Sequence, residues 1–365
     1  ELMTEWLLPL FALLFFSCNA PVKLAQNKQE ISRNSITKAQ SELIFETIKA
    51  FPNDTQFSIA IIKNDTVDFY GVKRDRDKIV NIDNHNRVFE IGSISKVLTS
   101  TLLASFVLEK KISLDASIGD HLGLKLNENQ NITFKELANH TSGLPRLAQN
   151  RGFGLFQDSD NPYKNYGEDK LVEYLTEKVV LGEKEYAYSN IGAATLGYSM
   201  AKIGNTTYQE LVERKIFSKY GMRNSSTSWA DIGSKLVKGL NKDGEITPNW
   251  DMNVHVGAGG ILSTSEDLAK FAIAQFDSTN LELALTREKT YKIKEGVHVG
   301  LGWHILKTEH QDEFITHNGG TGGYTSSIAV DLKNQNGMVV LSNVSAFHEN
   351  YTAVVELCNE LLASL

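Results

Sequence analysis

Apolar positions along this 365-residue chain follow two different periods. Phe57 to Lys63 and Thr66 to Gly71 are short apolar runs divided by Asn64-Asp65, which predicts a β-hairpin. Val97 to Leu108 (VLTSTLLASFVL) is apolar on nearly every face and predicts a helix buried all round. Helix signals then dominate. Thr133-Phe-Lys-Glu136, Thr206-Thr-Tyr-Gln209 and Ser263-Thr-Ser-Glu266 each have the capping-box form ahead of an apolar-periodic segment. Pro145 to Gly167 is a long irregular stretch rich in Asn, Gly and aromatics, a length that usually marks function or disorder. Strands return at His298 to Leu306, Glu313 to His317, Thr325 to Asp331 and Gly337 to Ser342, and Tyr351 to Leu362 predicts a closing helix. Strands at both ends around a helical middle predict one sheet assembled from both termini, an α/β domain of residues 35–115 and 290–365, with a helical domain of residues 116–289 inserted.

The N-terminal pattern bears on compartment. Trp6 to Cys18 (WLLPLFALLFFSC) is an apolar run of 13 residues containing Pro9. It falls short of the roughly 18 to 20 residues that cross a bilayer and fits the core of a secretory signal peptide. Ser17-Cys18 resembles the cleavage box of bacterial lipoproteins, in which the cysteine becomes the lipidated N-terminus. Residues 1–18 are therefore expected to direct export to the periplasm, with Cys18 as a point of membrane attachment. Residues 19–34 are polar, hold Pro21 and read as a linker.

Composition removes several classes. Lys+Arg 37 against Asp+Glu 44 gives a net charge of −7, and the one charge-dense stretch, Lys73 to Lys78, is of mixed sign, so no nucleic-acid partner is expected. Two cysteines, Cys18 and Cys358, exclude a multi-disulfide framework and a Cys-built zinc site; Cys358 reads as a buried helix residue. There is no G-x-S-x-G elbow, H-E-x-x-H, GxxxxGK[ST] or EF-hand loop, and Gly319-Gly-Thr-Gly-Gly323 lacks the lysine of a phosphate loop. No metal or cofactor is expected.

What remains is Ser93-Ile-Ser-Lys96. In a helix starting at Ser93, a lysine three positions later lies on the same face one turn away, within reach of the serine hydroxyl. A serine hydroxyl is a weak nucleophile until a base takes its proton. The apolar helix that follows would bury Lys96, and burial makes a neutral amine accessible. Free N–H groups at the helix start would also stabilise an oxyanion. The pattern alone is weak, since Ser35-Ile-Thr-Lys38 has the same spacing, Tyr163-Lys-Asn165 duplicates Tyr188-Ser-Asn190, and His255-Val-Gly257 duplicates the form of His317-Asn-Gly319.

Order gives it weight. Phe89 to Lys96, His140-Thr-Ser-Gly-Leu-Pro145, Tyr188-Ser-Asn-Ile-Gly192, Ala258-Gly-Gly-Ile-Leu-Ser-Thr264 and His317-Asn-Gly-Gly-Thr-Gly-Gly-Tyr324, in that succession, resemble the serine β-lactamase superfamily, most of all its class C branch of β-lactamases, DD-carboxypeptidases and related esterases and aminopeptidases. The resemblance implies an antiparallel sheet flanked by helices with an all-helical insert. It also implies Ser93 as the acylated nucleophile, Lys96 as its proton acceptor, and Tyr188 as a second acid/base group acting as phenolate or proton shuttle. Asn190 would bind the acyl-side amide. His317, Asn318 and Gly319 would form the substrate-flanking edge, and the backbone N–H groups of Ser93 and Gly320 the oxyanion hole. Class C β-lactamases carry Lys-Thr-Gly where this chain has His317-Asn318-Gly319, so a mostly neutral imidazole stands where a cation attracts the substrate carboxylate.

His140 is expected to order a loop, Gly259-Gly260 to permit a tight turn, Gly302-Trp303 to pack the core, and Tyr163 and Tyr166 either to line a substrate mouth or to pack the long loop. The expected activity is a serine acyl hydrolase acting through acyl-Ser93 on β-lactams or D-Ala-D-Ala peptides. An esterase or aminopeptidase-like hydrolase of small acyl substrates, or a non-catalytic penicillin-binding or scaffold protein, are the alternatives.

Overall fold

The computed structural model describes residues 27–28, 36–151, 160–308 and 312–365. The signal segment, Cys18 and nearly all of the linker lie outside the described residues. Among the described residues twelve strands are present: β1 (Asn27–Lys28), β2 (Gln56–Lys63), β3 (Thr66–Asp75), β4 (Lys78–Ile82), β5 (Phe89–Glu90), β6 (Leu262–Ser263), β7 (Tyr291–Lys294), β8 (Val297–Val299), β9 (His304–Leu306), β10 (Phe314–Gly320), β11 (Thr325–Asp331) and β12 (Asn336–Ser342). Ten form one sheet in the order β1-β4-β3-β2-β12-β11-β10-β9-β8-β7, antiparallel except for the short β1–β4 pairing. The two ends of the chain meet where β2 pairs with β12, Phe57 opposite Ser342. This is the antiparallel, helix-flanked α/β sheet that the sequence implies.

Both faces of the sheet are covered, so its central strands are apolar at successive positions. Phe57, Ile59 and Ile61 of β2, with Met338 and Val340 of β12, pack under the terminal helices Lys38–Ile48 and Thr352–Ala363. Ala60 and Ile62, with Val339 and Leu341, face the opposite way into the larger core of the intervening helices. That core is centred on the Ser95–Leu108 helix, in which every residue from Ser95 to Phe106 is buried, as its apolar pattern predicts. Cys358 is buried in the closing helix.

Several expectations shift in frame. Thr133 and Glu136 form the predicted capping box. The box read at Thr206–Gln209 lies one residue later, at Thr207 and Glu210, which leaves Gln209 to accept from Thr227. Ser263 belongs to β6, and Thr264 caps the Ser265–Ala274 helix. Thr37, inside a motif read as accidental, caps the Lys38–Ile48 helix together with Gln40. His298 to Leu306, read as one strand, is the β8–β9 hairpin, turned by Gly302 at φ 79°. β10 runs on through His317-Asn-Gly to Gly320, and β4 and β7 carried no recognised signal.

Candidate active site

The site begins where two glycines let backbones touch. After β5, Gly92 takes a left-handed φ of 49°, and a Cβ there would lie 2.6 Å from the Gly320 nitrogen. A Cβ on Gly319 would lie 2.0 Å from the Ile91 carbonyl oxygen and 2.9 Å from the Ser93 nitrogen. Only glycine at both positions lets the β10 edge lie against residues 91–93. Ser326 Oγ donates to the Ile91 carbonyl at 2.8 Å and locks this approach. Ser93 thereby sits in a 3₁₀ turn, Gly92–Ile94, that leads directly into the Ser95–Leu108 helix.

Lys96 Nζ lies 2.9 Å from Ser93 Oγ and 2.7 Å from the Ala258 carbonyl oxygen. The side chain is 3% exposed, and burial, helped by the positive charge of Arg146, holds its pKa well below the usual lysine range. In its neutral form such an amine has a lone pair that could take a serine proton while one N–H is held by the Ala258 carbonyl.

Tyr188 lies beside this pair, its ring centroid 4.9 Å from Lys96 Nζ. Burial raises its pKa above that of an ordinary phenol, only partly opposed by hydrogen bonding with Ser93 and by Arg146. That direction favours the neutral phenol over a standing phenolate. Its position follows from a clasp between two sequence blocks. His140, in the left-handed region at φ 63°, accepts from the Ser189 N–H through Nδ1 at 3.2 Å, and its carbonyl accepts from Ala187 at 2.8 Å. Ser189 Oγ donates to the Pro145 carbonyl at 2.6 Å and accepts from the Gly192 N–H at 2.9 Å, capping the Asn190–Ile203 helix. His140 thus orders a loop.

Ser93, Tyr188, Asn190, Asn318, Gly319 and Gly320 all border one cavity of about 880 Å³. Asn190 Nδ2 approaches the Tyr163 hydroxyl at 3.5 Å. Tyr163 lines the cavity, while Tyr166 is buried with its hydroxyl donating to Asn150, so the two tyrosines divide between mouth and core. Trp303 is fully buried, and the Gly259–Gly260 segment turns tightly against Gly92 and Val256.

One expected site residue lies off the cavity surface. His317 is 2% exposed and does not border the cavity. Strand alternation turns it to the other face of β10, where its ring packs 5.3 Å from His304 and 6.4 Å from Tyr188, with Nδ1 2.7 Å from the Asn318 carbonyl oxygen. Burial, with the positive charges of its neighbours, holds its pKa well below the usual histidine value. Asn318, one residue on, is the exposed side chain of that edge. Sequence reasoning missed the cations that do border the cavity, Arg146 and Arg151, and its aromatic lip, Trp250 and Phe347. Arg146 directly follows the His140–Pro145 block, which was its only signal.

Residues 51–356 match the family model described as Beta-lactamase, so the chain belongs to the beta-lactamase family, a family of β-lactamase/DD-peptidase-like serine hydrolases. It is 28% identical over 300 residues to Beta-lactamase-like protein 2 of Dictyostelium discoideum, covering 75% of this chain and 53% of that one. It is 23% identical over 301 residues to Penicillin-binding protein 4* of Bacillus subtilis, covering 76% and 65%. The chain thus spans between half and two-thirds of the length of these curated relatives. A solved beta-lactamase/D-alanine carboxypeptidase from Yersinia pestis shares the fold, with a TM-score of 0.73 at 20% identity, over 90% of this chain and 99% of that one.

Proposed function

We propose that this chain is a serine acyl hydrolase of the class C type, acting on β-lactams or D-Ala-D-Ala cell-wall peptides through an ester on Ser93. The observation that carries the proposal is the buried Lys96 amine 2.9 Å from Ser93 Oγ, Ser93 itself bordering a cavity that Asn190 and Gly320 also line. Neutral Lys96 takes the Ser93 proton as Oγ bonds to the substrate carbonyl carbon. The carbonyl oxygen becomes an oxyanion facing the N–H groups of Ser93 and Gly320. On collapse, the bond to the leaving nitrogen or oxygen breaks and that atom takes a proton through the Tyr188 hydroxyl, which Lys96 replenishes. Water then attacks the acyl-Ser93 carbonyl, gives its proton to the same pair, and releases the acid and free Ser93.

The absence of a lysine on the β10 edge favours a second reading, an esterase of small acyl substrates. Export and attachment through Cys18 remain part of the proposal; no helix among the described residues is long and apolar enough to cross a membrane. Turnover of a chromogenic cephalosporin, a D-Ala-D-Ala peptide and a short-chain p-nitrophenyl ester by the purified chain separates the readings. Release of D-alanine or opening of the lactam is expected; ester cleavage alone selects the esterase.

A further inference from the structure

Arg146 is an exposed cation that borders the cavity. Its guanidinium lies 5.2 Å from the Tyr188 ring centroid and makes no hydrogen bond or ion pair among the described residues. The Lys96 amine approaches the same ring. The Arg146 carbonyl accepts from the N–H of Asn190 at 2.9 Å, which fixes the arginine to the wall of the cavity that carries Asn190. Arg151, on the same wall, lies 5.7 Å from the Tyr163 ring centroid. Among the described residues that line the cavity, Arg146 is a cation and there is no aspartate or glutamate, in a protein of net charge −7. A cavity of that sign inside an acidic chain concentrates anions.

We propose that Arg146 reads a carboxylate in the acyl portion of the substrate, so that the preferred acyl donors carry a negative charge on the Asn190 side of Ser93. This rests on the acyl-Ser93 reading and on Asn190 marking the acyl side. A planar guanidinium held against an aromatic face presents a fork of donors that matches a carboxylate. The β10 edge, which offers Asn318 and the backbone of Gly319 and Gly320, provides no such cation. Charge selection in this chain therefore falls on the part of the substrate that stays bonded to Ser93, and it acts on deacylation as well as acylation.

The test compares two esters of equal shape, mono-p-nitrophenyl adipate and its methyl ester, at the pH where the rate has levelled. The wild type is expected to prefer the anion in kcat/KM by roughly 10- to 100-fold, the range of a hydrogen bond to a charged group, and added salt should erode the preference. Arg146→Gln should abolish the preference, and Arg146→Lys should retain part of it. No preference in the wild type, or equal losses on both esters in Arg146→Gln, overturns the inference while leaving acyl-Ser93 intact. Turnover of neither ester by the wild type, or full turnover by Ser93→Ala, overturns acyl-Ser93 and this inference with it.

Discussion

The Lys96 amine lies 2.9 Å from the Ser93 hydroxyl, buried and with its affinity for a proton suppressed by its surroundings. A base of this kind works in its neutral form. The acid limb of kcat/KM should therefore rise through a lysine pKa well below 10.4. Because burial raises the Tyr188 phenol, no loss from its ionisation should follow up to about pH 10. Lys96→Met should lower kcat by about 10³-fold, within the usual range for losing a general base. A pH–rate profile still climbing near pH 10 would contradict this role for Lys96.

Gly92→Ala tests the backbone contact at the oxyanion site. The added Cβ would meet the Gly320 nitrogen at 2.6 Å from a left-handed backbone, so either the turn or the β10 edge must move. A loss of about 100-fold or more in kcat is expected, the scale of misplacing one oxyanion donor. Thermal stability should fall by about 1–3 kcal/mol from strain. Steady-state kinetics and thermal melts report both.

His317→Lys and Asn318→Lys should behave oppositely. Lysine at the buried position places a charge beside Lys96 and His304 with no partner, at a cost of about 3–5 kcal/mol, and gives no selectivity. Lysine at the exposed, cavity-lining position puts a cation on the β10 edge and should raise kcat/KM on penicillins by about tenfold relative to a neutral ester. Melting curves and paired kcat/KM values check the contrast.

Acid should loosen the fold early. His140, His255, His304 and His317 all have folded-state pKa values below the usual histidine value because of burial, His255 down to about 3. Below about pH 6.5 the unfolded chain binds protons that these buried rings refuse. Stability is therefore present above that pH and is lost as pH falls toward the folded pKa values, by up to about 1.4 kcal/mol per pH unit for each ring. Melting temperatures between pH 7.5 and 5 should fall steadily; a flat profile would argue against neutral imidazoles at buried His140, His255 and His317 and half-buried His304.

The strongly patterned elements were legible in the sequence. The 57–71 hairpin, the helix buried on every face and the closing helix declared themselves by period. Ordered blocks marked Ser93, Tyr188 and Asn190, which the fold gathers around one cavity, and Lys96, buried behind Ser93. Threonine pairs were ambiguous by one residue, because Thr206 and Thr207 both have an acceptor-bearing residue three places on and only tertiary packing selects the cap. A motif triplet does not state which side chains of a strand face the cavity; β10 turns His317 inward and Asn318 outward. Arg146 and Trp250 reach the cavity from loops whose course no local period encodes.

Intact-mass spectrometry with peptide mapping after brief exposure to a penicillin and to an activated ester tests the central claim most directly. The account predicts a single acyl adduct on the peptide carrying Ser93, absent in Ser93→Ala and persisting longer in Lys96→Met. An adduct on another residue, or turnover by Ser93→Ala above about a thousandth of the wild-type rate, would contradict it.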